Sequence, residues 1–287
     1  MALCAERQVA LSFMTASGRF RARVTGPVSG NVLLRRTQYR AADNGAETLK
    51  LARAFVIGKA TNCRVGLMRG LRDHPGLPGA AMIEASISSL EHSIQHAAIC
   101  TSLDALRGVE GMAAGSYFKG LDHLILADKE HFFMKERNRR PPQDNFNSMP
   151  SFLYTLLVHD VQAALETVGF DPQVGFLHRD RSGRAGLALD LMEELRPYMV
   201  DRLVLALVNR RQVSADQFEE DESGGIRMSP DTRKTVIAAW QARKQEEITH
   251  PFLQEKIEIG LIPFVQGLLL ARYFRGELEE YSPFLWK

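Results

Sequence analysis

Apolar residues recur every three or four positions over most of this 287-residue chain, from Thr48 to Phe274. That spacing puts them on one side of an α-helix, so it predicts a mainly α-helical fold. Residues 48–63 and 80–99 are predicted to be long amphipathic helices, separated by the helix-breaking run DHPGLPG. Residues 147–168 are apolar on most faces, which indicates the central core helix.

Strand signals are clear only near the start of the chain. Two runs, ALSFMT and RFRARVT, are joined by the turn residues Ser17 and Gly18. The run GPVSGN (26–31) that follows is predicted to be a hinge. We therefore expect a small β-domain at residues 1–27 and a large α-helical domain at residues 28–287.

Three later signals add detail to this organisation. Residues 218–228 predict a hairpin around two glycines, and Ser229 followed by Pro230 predicts a helix start with serine as its cap. Residues 257–274 form the longest apolar stretch. Because that stretch contains a glutamate, a glutamine and an arginine, it is predicted to be a buried helix and not a membrane span.

Glu110 stands where an apolar residue would be expected. Residues 101–118 are predicted to form a helix that opens at Thr101, with Asp104 placed like the acid of a capping box. The apolar stripe of this helix consists of Leu103, Leu106, Ala113 and Tyr117, and Glu110 falls within it. A carboxylate on a buried face is costly unless a cation or hydrogen bonds compensate, so Glu110 is a candidate functional residue. The alternative is a surface glutamate on a helix of different phase.

Three glycines flank Glu110, namely Gly108, Gly111 and Gly115. Glycine is a poor helix former, so helix formation does not explain why three glycines occur in one helix. We expect these positions to allow close approach of another backbone or of a ligand.

Residues 175–197 contain the richest set of candidate functional side chains. Asp190 and Glu193 are three apart in a helical pattern, so they point the same way, opposite an apolar face of Leu191, Met192 and Leu195. His178 stands 12 residues before Asp190, at the head of a loop that carries Arg179, Arg181 and Arg184. A histidine, paired carboxylates and three guanidinium groups together indicate a divalent metal beside a phosphate. The mixed oxygen and nitrogen ligands suit Mg²⁺ or Mn²⁺, and Mn²⁺ tolerates histidine better.

Two other patterns are weaker. His92 and His96 have the spacing of zinc-binding helices, but the acid that a metalloprotease needs is absent from HSIQH, so a polar helix face is the preferred interpretation. The loop RNRRPPQDNFN (137–147) carries Arg139 and Arg140, which can bind phosphates, and two prolines that stiffen it. A structural connector between helices is the alternative for this loop.

Composition restricts the classes of function. The net charge is only +2, so any nucleic-acid binding would depend on local arginine clusters and not on a strongly basic surface. Any one cluster taken alone is also compatible with ordinary solvated surface. The three cysteines are far apart and form no CxxC motif, which argues against a zinc ribbon or a disulfide framework. With no signal-peptide pattern at the amino terminus, a cytoplasmic location is expected.

Three stretches resemble one known family in the same order along the chain: VEGMAAGSYF (109–118), RNRRPPQDNFNSMPSFLY (137–154) and the segment from His178 to Pro197. The family is that of the CRISPR-associated spacer integrase, the larger of the two universal CRISPR adaptation proteins. Residues 18–40 look most like its subtype I-C branch. The resemblance covers essentially the whole chain.

The resemblance implies a metal-dependent DNA endonuclease or integrase that inserts short foreign DNA segments (spacers) into a CRISPR array. It implies that Glu110, His178 and Glu193 bind the metal and that Asp190 belongs to the same catalytic set. Glu194 is adjacent, but the family pattern and the phase shared with Asp190 both favour Glu193. The partners implied are double-stranded DNA, a second copy of the chain and the small second CRISPR adaptation protein, with no membrane. The arginines expected to contact DNA are Arg139, Arg140, Arg179, Arg181 and Arg184.

One departure from the family concerns the amino terminus. Relatives normally begin with more strands, which form a β-domain that holds the dimer together, so residues 1–27 resemble only part of that domain. We therefore expect Leu11, Phe13, Phe20 and Val24 to be unusually exposed or to be covered by another copy of the chain. This departure concerns dimer formation, and therefore activity, but not the metal site.

The ligand set leaves the reaction open between two outcomes. Attack by water on a phosphodiester would cleave DNA, whereas attack by a DNA 3′-hydroxyl would integrate it. The resemblance favours integration. The alternatives are a catalytically impaired DNA-binding or scaffold protein of the same family, and a helical metal-dependent phosphohydrolase acting on a small molecule.

Overall fold

The structure is a computed structural model. It describes residues 2–7, 11–15, 20–24, 31–134, 136–138, 141–222 and 224–286. Most of these residues are helical, which confirms the mainly α fold.

The first described elements are a short helix and a two-stranded hairpin. Helix α1 covers Ala2–Glu6, and strands β1 (Leu11–Met14) and β2 (Phe20–Val24) pair antiparallel, with Leu11 opposite Val24. The two predicted strands are thus confirmed. Phe13 is 46% exposed, as expected for a strand with few neighbours, and Leu11 and Val24 are half-buried.

Several expectations about this region fall on residues that are not described. The turn at Ser17 and Gly18, most of the hinge at 26–31 and the side chain of Phe20 lie outside the described residues. The domain boundary after residue 27 therefore stays a prediction.

Nine longer helices follow in the described part of the chain. They are α2 (Val32–Asp43), α3 (Gly45–Asp73), α4 (Ala80–Ile99), α5 (Leu103–Asp122), α6 (Asn145–Val168), α7 (Gly186–Arg196), α8 (Arg202–Asn209), α9 (Pro230–Gln245) and α10 (Ile262–Phe274). A π-helical turn, Pro197–Asp201, joins α7 to α8. None of the described helices is long and apolar enough to cross a membrane.

Two further antiparallel hairpins complete the fold. Strands β3 (Phe218–Glu220) and β4 (Ile226–Met228) form the hairpin predicted around the glycine pair. Strands β5 (Glu247–Thr249) and β6 (Lys256–Glu258) form one that was not predicted.

Polar caps account for most of the helix starts. Asn44 ends α2 and caps α3 by accepting from the backbone N–H groups of Ala46 and Glu47. Ser229 caps α9 ahead of Pro230, as predicted. Helix α5 begins one residue later than expected, because Ser102 rather than Thr101 accepts from the N–H of Ala105.

Other boundaries also differ from the predictions. Helix α3 extends ten residues past the predicted end at Cys63 and stops at Asp73, the first residue of the predicted breaker run. The helix predicted over 257–274 begins only at Ile262, because β6 and a 3-10 turn take up its first residues. Asp104 is not part of a capping box; its carboxylate pairs with Arg107 and Arg179 instead.

The core is built around α3, α6 and α7. Leu153, Leu157 and Val161 of α6 are fully buried, which confirms it as a core helix, and α6 packs against both α7 and α10. Helix α3 packs against α4, α5 and α7. Helix α7 is buried on both sides. The face that carries Asp190 and Glu193 is therefore enclosed by the protein, as is the apolar face opposite it. This burial places charged groups inside the protein, where they must be compensated.

Candidate metal centre

A cavity of about 430 Å³ lies between α3, α5, α7 and the loop before α7. Glu110 reaches it from α5, Glu193 from α7 and His178 from the loop. Glu110 and Glu193 are far apart in the sequence but come together because both helices pack against α3. The three residues predicted to bind the metal therefore line one cavity.

Lys59 of α3 lies between the two carboxylates. Its ammonium nitrogen donates to Glu110 Oε1 and also lies 2.7 Å from Glu193 Oε2. The second contact is an ion pair without hydrogen-bond geometry, and Glu193 Oε2 is a buried oxygen that accepts no hydrogen bond from the described residues. Arg196, one turn along α7, binds the other oxygen of Glu193 at 2.7 Å.

These cations keep Glu193 charged despite its burial. Burial works to raise the pKa of Glu193, but the Arg196 and Lys59 cations outweigh it and lower that pKa to about 2. Burial likewise works to lower the pKa of Lys59, and Glu193 and Glu110 outweigh it, so that pKa is raised. At neutral pH Glu193 is thus a carboxylate and Lys59 an ammonium group.

Asp190 holds the His178 loop in place. Its Oδ2 accepts from the backbone N–H groups of Phe176 (2.5 Å) and Leu177 (3.0 Å). Its Oδ1 accepts from the N–H of His178 (3.0 Å) and contacts the ring Nδ1 of His178 at 2.6 Å. Because a carboxylate can only accept, Nδ1 must carry the hydrogen, which leaves Nε2 of a neutral ring as the free electron-pair donor. Asp190 therefore positions the histidine and has its own oxygens fully used.

The donor chemistry of this cluster fits a hard divalent ion. Two carboxylates already converge on one cation, one of their oxygens lacks a hydrogen bond, and an oriented imidazole lines the same space. The arrangement is not a ready-made ligand shell, however. Among the described residues no three His, Cys, Asp or Glu side chains are placed to hold an ion together, and Lys59 lies between the two glutamates.

Glu194, next to Glu193, faces the opposite side of α7. Its Oε1 accepts from Tyr281 (2.7 Å) and Gln266 (2.8 Å), and its side chain is fully buried. Burial raises the pKa of Glu194 to about 7, although the hydrogen bonds from its neutral partners oppose that change. Glu194 does not line the cavity, which agrees with the choice of Glu193 as the candidate ligand.

The predicted DNA-binding arginines are placed differently from one another. Arg184 lines the cavity, while Arg179 and Arg181 are exposed beside it. Arg179 pairs with Asp104 at 2.7 Å. Arg139 and Arg140 lie outside the described residues.

The glycines of α5 are not sites where another backbone approaches closely, which was one of the two expectations for them. A Cβ added at Gly108, Gly111 or Gly115 would meet no atom within 4 Å, so no other part of the described chain approaches them. Gly111 and Gly115 line the cavity, which leaves the ligand explanation open. His92 and His96 are exposed on α4, in agreement with a polar helix face.

Several residues of the cavity were not predicted from the sequence. Lys59 and Arg196 hold the carboxylates, and buried Asp201 accepts from the hydroxyls of Tyr117 (2.9 Å) and Tyr154 (2.5 Å). A signal for Lys59 does exist, because it lies on the buried side of α3 one turn from Phe55 and Cys63. This signal is weaker than that of Glu110, because a lysine can bury its stem and still keep its charge in water.

Comparison with known proteins gives consistent matches. A sequence model described as "CRISPR associated protein Cas1" matches residues 1–242. The chain is 50% identical over 284 residues to the CRISPR-associated endonuclease Cas1 1 of Chlorobaculum tepidum, covering 99% of this chain and 83% of that protein.

Two solved structures have similar folds. A casposase bound to its integration product superposes with a TM-score of 0.85 at 21% identity, covering 100% of this chain and 77% of that one. A Cas6-RT-Cas1 chain from a complex with Cas2 superposes with a TM-score of 0.80 at 25% identity, covering 99% of this chain and 30% of that one.

Proposed function

Because the chain belongs to the Cas1 family of CRISPR-associated proteins, we propose that it is a metal-dependent DNA endonuclease and integrase. Its reaction would insert short foreign DNA segments into a CRISPR array by transesterification. The observation that carries this proposal is the meeting of Glu110 and Glu193 at one cation, in a cavity that His178 also lines.

Each residue of the cavity has a distinct role in the proposal. Glu110, Glu193 and His178 would hold Mg²⁺ or Mn²⁺, and Asp190 fixes the ring of His178 through Nδ1. When bound, such an ion polarises a phosphodiester oxygen and stabilises charge on the leaving oxygen. Arg196 keeps Glu193 charged and in place through its contact with Oε1.

The nucleophile in the proposed reaction is the 3′-hydroxyl of the incoming DNA. It loses its proton as its oxygen forms a new phosphodiester bond to phosphorus in the target strand. The bond from that phosphorus to the target strand's 3′-oxygen breaks, and the displaced 3′-oxygen takes up a proton. Arg184 on the cavity wall, with Arg179 and Arg181 beside it, would hold the flanking phosphates. Arg139 and Arg140 belong to the same proposed DNA contact.

The proposed partners are duplex DNA, a second copy of the chain and the small adaptation protein Cas2. Support for Cas2 comes from a similar structure that is part of a Cas1–Cas2 complex. Support for DNA comes from the names of the relatives and from a structure of the same fold that is bound to an integration product. The second copy is proposed from family membership.

A strand-transfer assay with Mn²⁺ tests the proposal. The protein, with its Cas2 partner, is given a fluorescent duplex with free 3′-hydroxyls and a supercoiled plasmid that carries a CRISPR array. We expect Glu110→Gln to abolish joining, because one of the two carboxylates that meet in the cavity loses its charge. Glu84→Gln is the matched control, since Glu84 is an exposed glutamate on α4 outside the cavity. Joining by Glu110→Gln at the wild-type rate would overturn the assignment.

The same assay separates integration from hydrolysis. A duplex that ends in 3′-deoxynucleotides lacks the nucleophile for joining, whereas water remains available for cleavage. We expect the blocked duplex to give no joined product. Plasmid nicking at an equal rate with blocked and unblocked duplex would indicate an endonuclease without integrase activity.

A further inference from the structure

Lys59 occupies an unusual place for a lysine. It lies on the buried side of α3, its side chain is 9% exposed, and it contacts carboxylates from two other helices. Holding an ammonium group inside a protein is costly unless anions compensate, and here Glu110 and Glu193 do so. The packing of three helices therefore brings together the lysine and both candidate metal ligands.

The two cations of the cluster contact different oxygens of Glu193. Arg196 binds Oε1 at 2.7 Å. Lys59 lies between Oε2 of Glu193 and Oε1 of Glu110, the two oxygens that face each other. Its 2.7 Å contact with Oε2 is an ion pair, so a divalent ion placed between the glutamates would compete with the lysine for that oxygen.

An ammonium group and a divalent ion cannot share this space. Two like charges a few ångströms apart repel strongly in a buried setting. The cavity lining also contains five Lys or Arg and four Asp or Glu side chains, so a divalent ion would raise its formal charge from +1 to +3. A lysine displaced into that cavity would need an anion, and a phosphate group of DNA supplies one.

We propose that Lys59 is a tethered counter-ion, which competes with the divalent ion for Glu110 and Glu193 and moves to a DNA phosphate when the ion binds. This inference rests on the proposed function, because it assigns a role to a residue of the same site. The consequence is that binding of the divalent ion and binding of DNA are coupled. Metal binding frees the lysine for DNA and DNA stabilises the displaced lysine, so each ligand strengthens binding of the other.

Direct measurement of Mn²⁺ affinity tests this role without any activity assay. Free Mn²⁺ is measured by electron paramagnetic resonance for the wild type, Lys59→Met and Lys119→Met. Lys119 lines the same cavity and is exposed, so the control removes an equal charge from the wall but not from the carboxylates. We expect Lys59→Met to bind Mn²⁺ about tenfold more tightly than the wild type without DNA, and Lys119→Met to differ less.

A second titration adds a short duplex with 3′-hydroxyl ends. The duplex should raise the Mn²⁺ affinity of the wild type more than that of Lys59→Met, because the variant has no lysine to hand over. An equal gain in both proteins would overturn the coupling. If Lys59→Met does not fold, Lys59→Gln carries the same test, since its amide still donates to the carboxylates.

Glu110→Gln separates failure of the lysine's role from failure of the proposed function. If Glu110→Gln loses Mn²⁺ binding but Lys59→Met binds it no more tightly than the wild type, the lysine's role is overturned and the metal site stands. If Glu110→Gln binds Mn²⁺ as the wild type does, the metal site and the lysine's role are both overturned.

Discussion

Helix α7 buries Glu193 on the side of the cavity and Glu194 on the side of the carboxy-terminal segment, residues 275–286. On the cavity side Glu193 is surrounded by the Lys59 and Arg196 cations, and its pKa is lowered to about 2 despite burial. On the other side burial raises the pKa of Glu194 to about 7, because its partners are a hydroxyl and an amide. Neighbouring residues of equal burial thus have opposite electrostatic surroundings.

The difference shows what distinguishes a candidate ligand from a structural carboxyl group. Glu194 belongs to a polar network that holds the carboxy-terminal segment, in which Asn62 donates to the carbonyl oxygens of Glu194 and Phe284 at 2.7 Å. The donors of that network to Oε1 of Glu194 are an amide and a phenol, neither of which carries a charge. Glu193 instead lies between two cations, the Lys59 ammonium group and the Arg196 guanidinium group.

The largest expected difference between the two sides of α7 appears when each glutamate in turn is replaced with glutamine. Glu193→Gln should lower the rate of Mn²⁺-dependent strand transfer by about 1000-fold, since it removes a charge that acts on the transition state. Glu194→Gln should stay within a few-fold of the wild type, because Gln can still accept from Tyr281 and the residue faces away from the cavity. Equal loss of activity in both variants would mean that the two sides of α7 do not differ in function.

The second largest expected difference between the two sides of α7 is in how the free energy of unfolding depends on pH. A glutamate has an ordinary pKa of 4.5, and the folded protein raises that of Glu194 to about 7. The folded state therefore binds this proton more tightly than the unfolded state does. Protonated Glu194 contributes its full stabilisation below about pH 4.5, and this contribution is lost as the pH rises to about 7. We expect a loss of roughly 3 kcal/mol over this range, measured by urea unfolding.

Two variants serve as controls for this pH effect. Glu194→Gln cannot titrate, so its stability should not fall with pH in this way. Glu193 has a lowered pKa, so it contributes stability above pH 4.5 that is lost only as the pH falls towards 2. Glu193→Gln should therefore keep the wild-type decline between pH 4.5 and 7, and a flat wild-type profile there would contradict the assignment to Glu194.

The sequence predicted the helices and one side of the cavity well, for a physical reason. Periodicity reports which residues are buried together, and this located α4 to the residue and α6 to within two residues. Glu110 was found because a carboxylate interrupts an apolar stripe. Lys59 interrupts one too, but a lysine can bury its stem and keep its charge in water, so its position alone does not indicate a buried ion pair.

Other features depend on contacts that the local sequence does not contain. Strands β5 and β6 are three residues long and each has a single apolar residue, Ile248 and Ile257, which is too little for alternation to appear. The surroundings of Glu193 and Glu194 come from α3, α10 and the carboxy-terminal segment, remote in sequence. In the sequence, only two signals favoured Glu193 over Glu194 as the ligand: the helical phase that Glu193 shares with Asp190, and the family motif.

Asp190→Asn should have an intermediate effect, confined to the cavity side. The substitution places an amide among three backbone N–H groups and Nδ1 of His178, so the ring loses its fixed orientation. We expect Mn²⁺ affinity to fall about 10–100-fold. Asp160→Asn is the control, because Asp160 pairs with Lys244 outside the cavity lining, and it should leave Mn²⁺ affinity unchanged. Unchanged affinity in Asp190→Asn would show that the orientation of His178 does not matter for metal binding.

Tyr281→Phe should have the smallest effect, confined to the opposite side. The hydroxyl of Tyr281 donates to Glu194 and accepts from Gln266, so its removal costs about 1–2 kcal/mol of unfolding free energy. Because that donor favours the carboxylate, its loss raises the pKa of Glu194 further, and the decline in stability should extend to higher pH. Tyr39→Phe is the control, since its bond to Asp171 is exposed and water can replace it, so a smaller change is expected. Strand transfer and Mn²⁺ affinity should remain at wild-type values in Tyr281→Phe. A loss of either would show that the carboxy-terminal network supports the cavity through α7, and that the two sides of the helix are coupled.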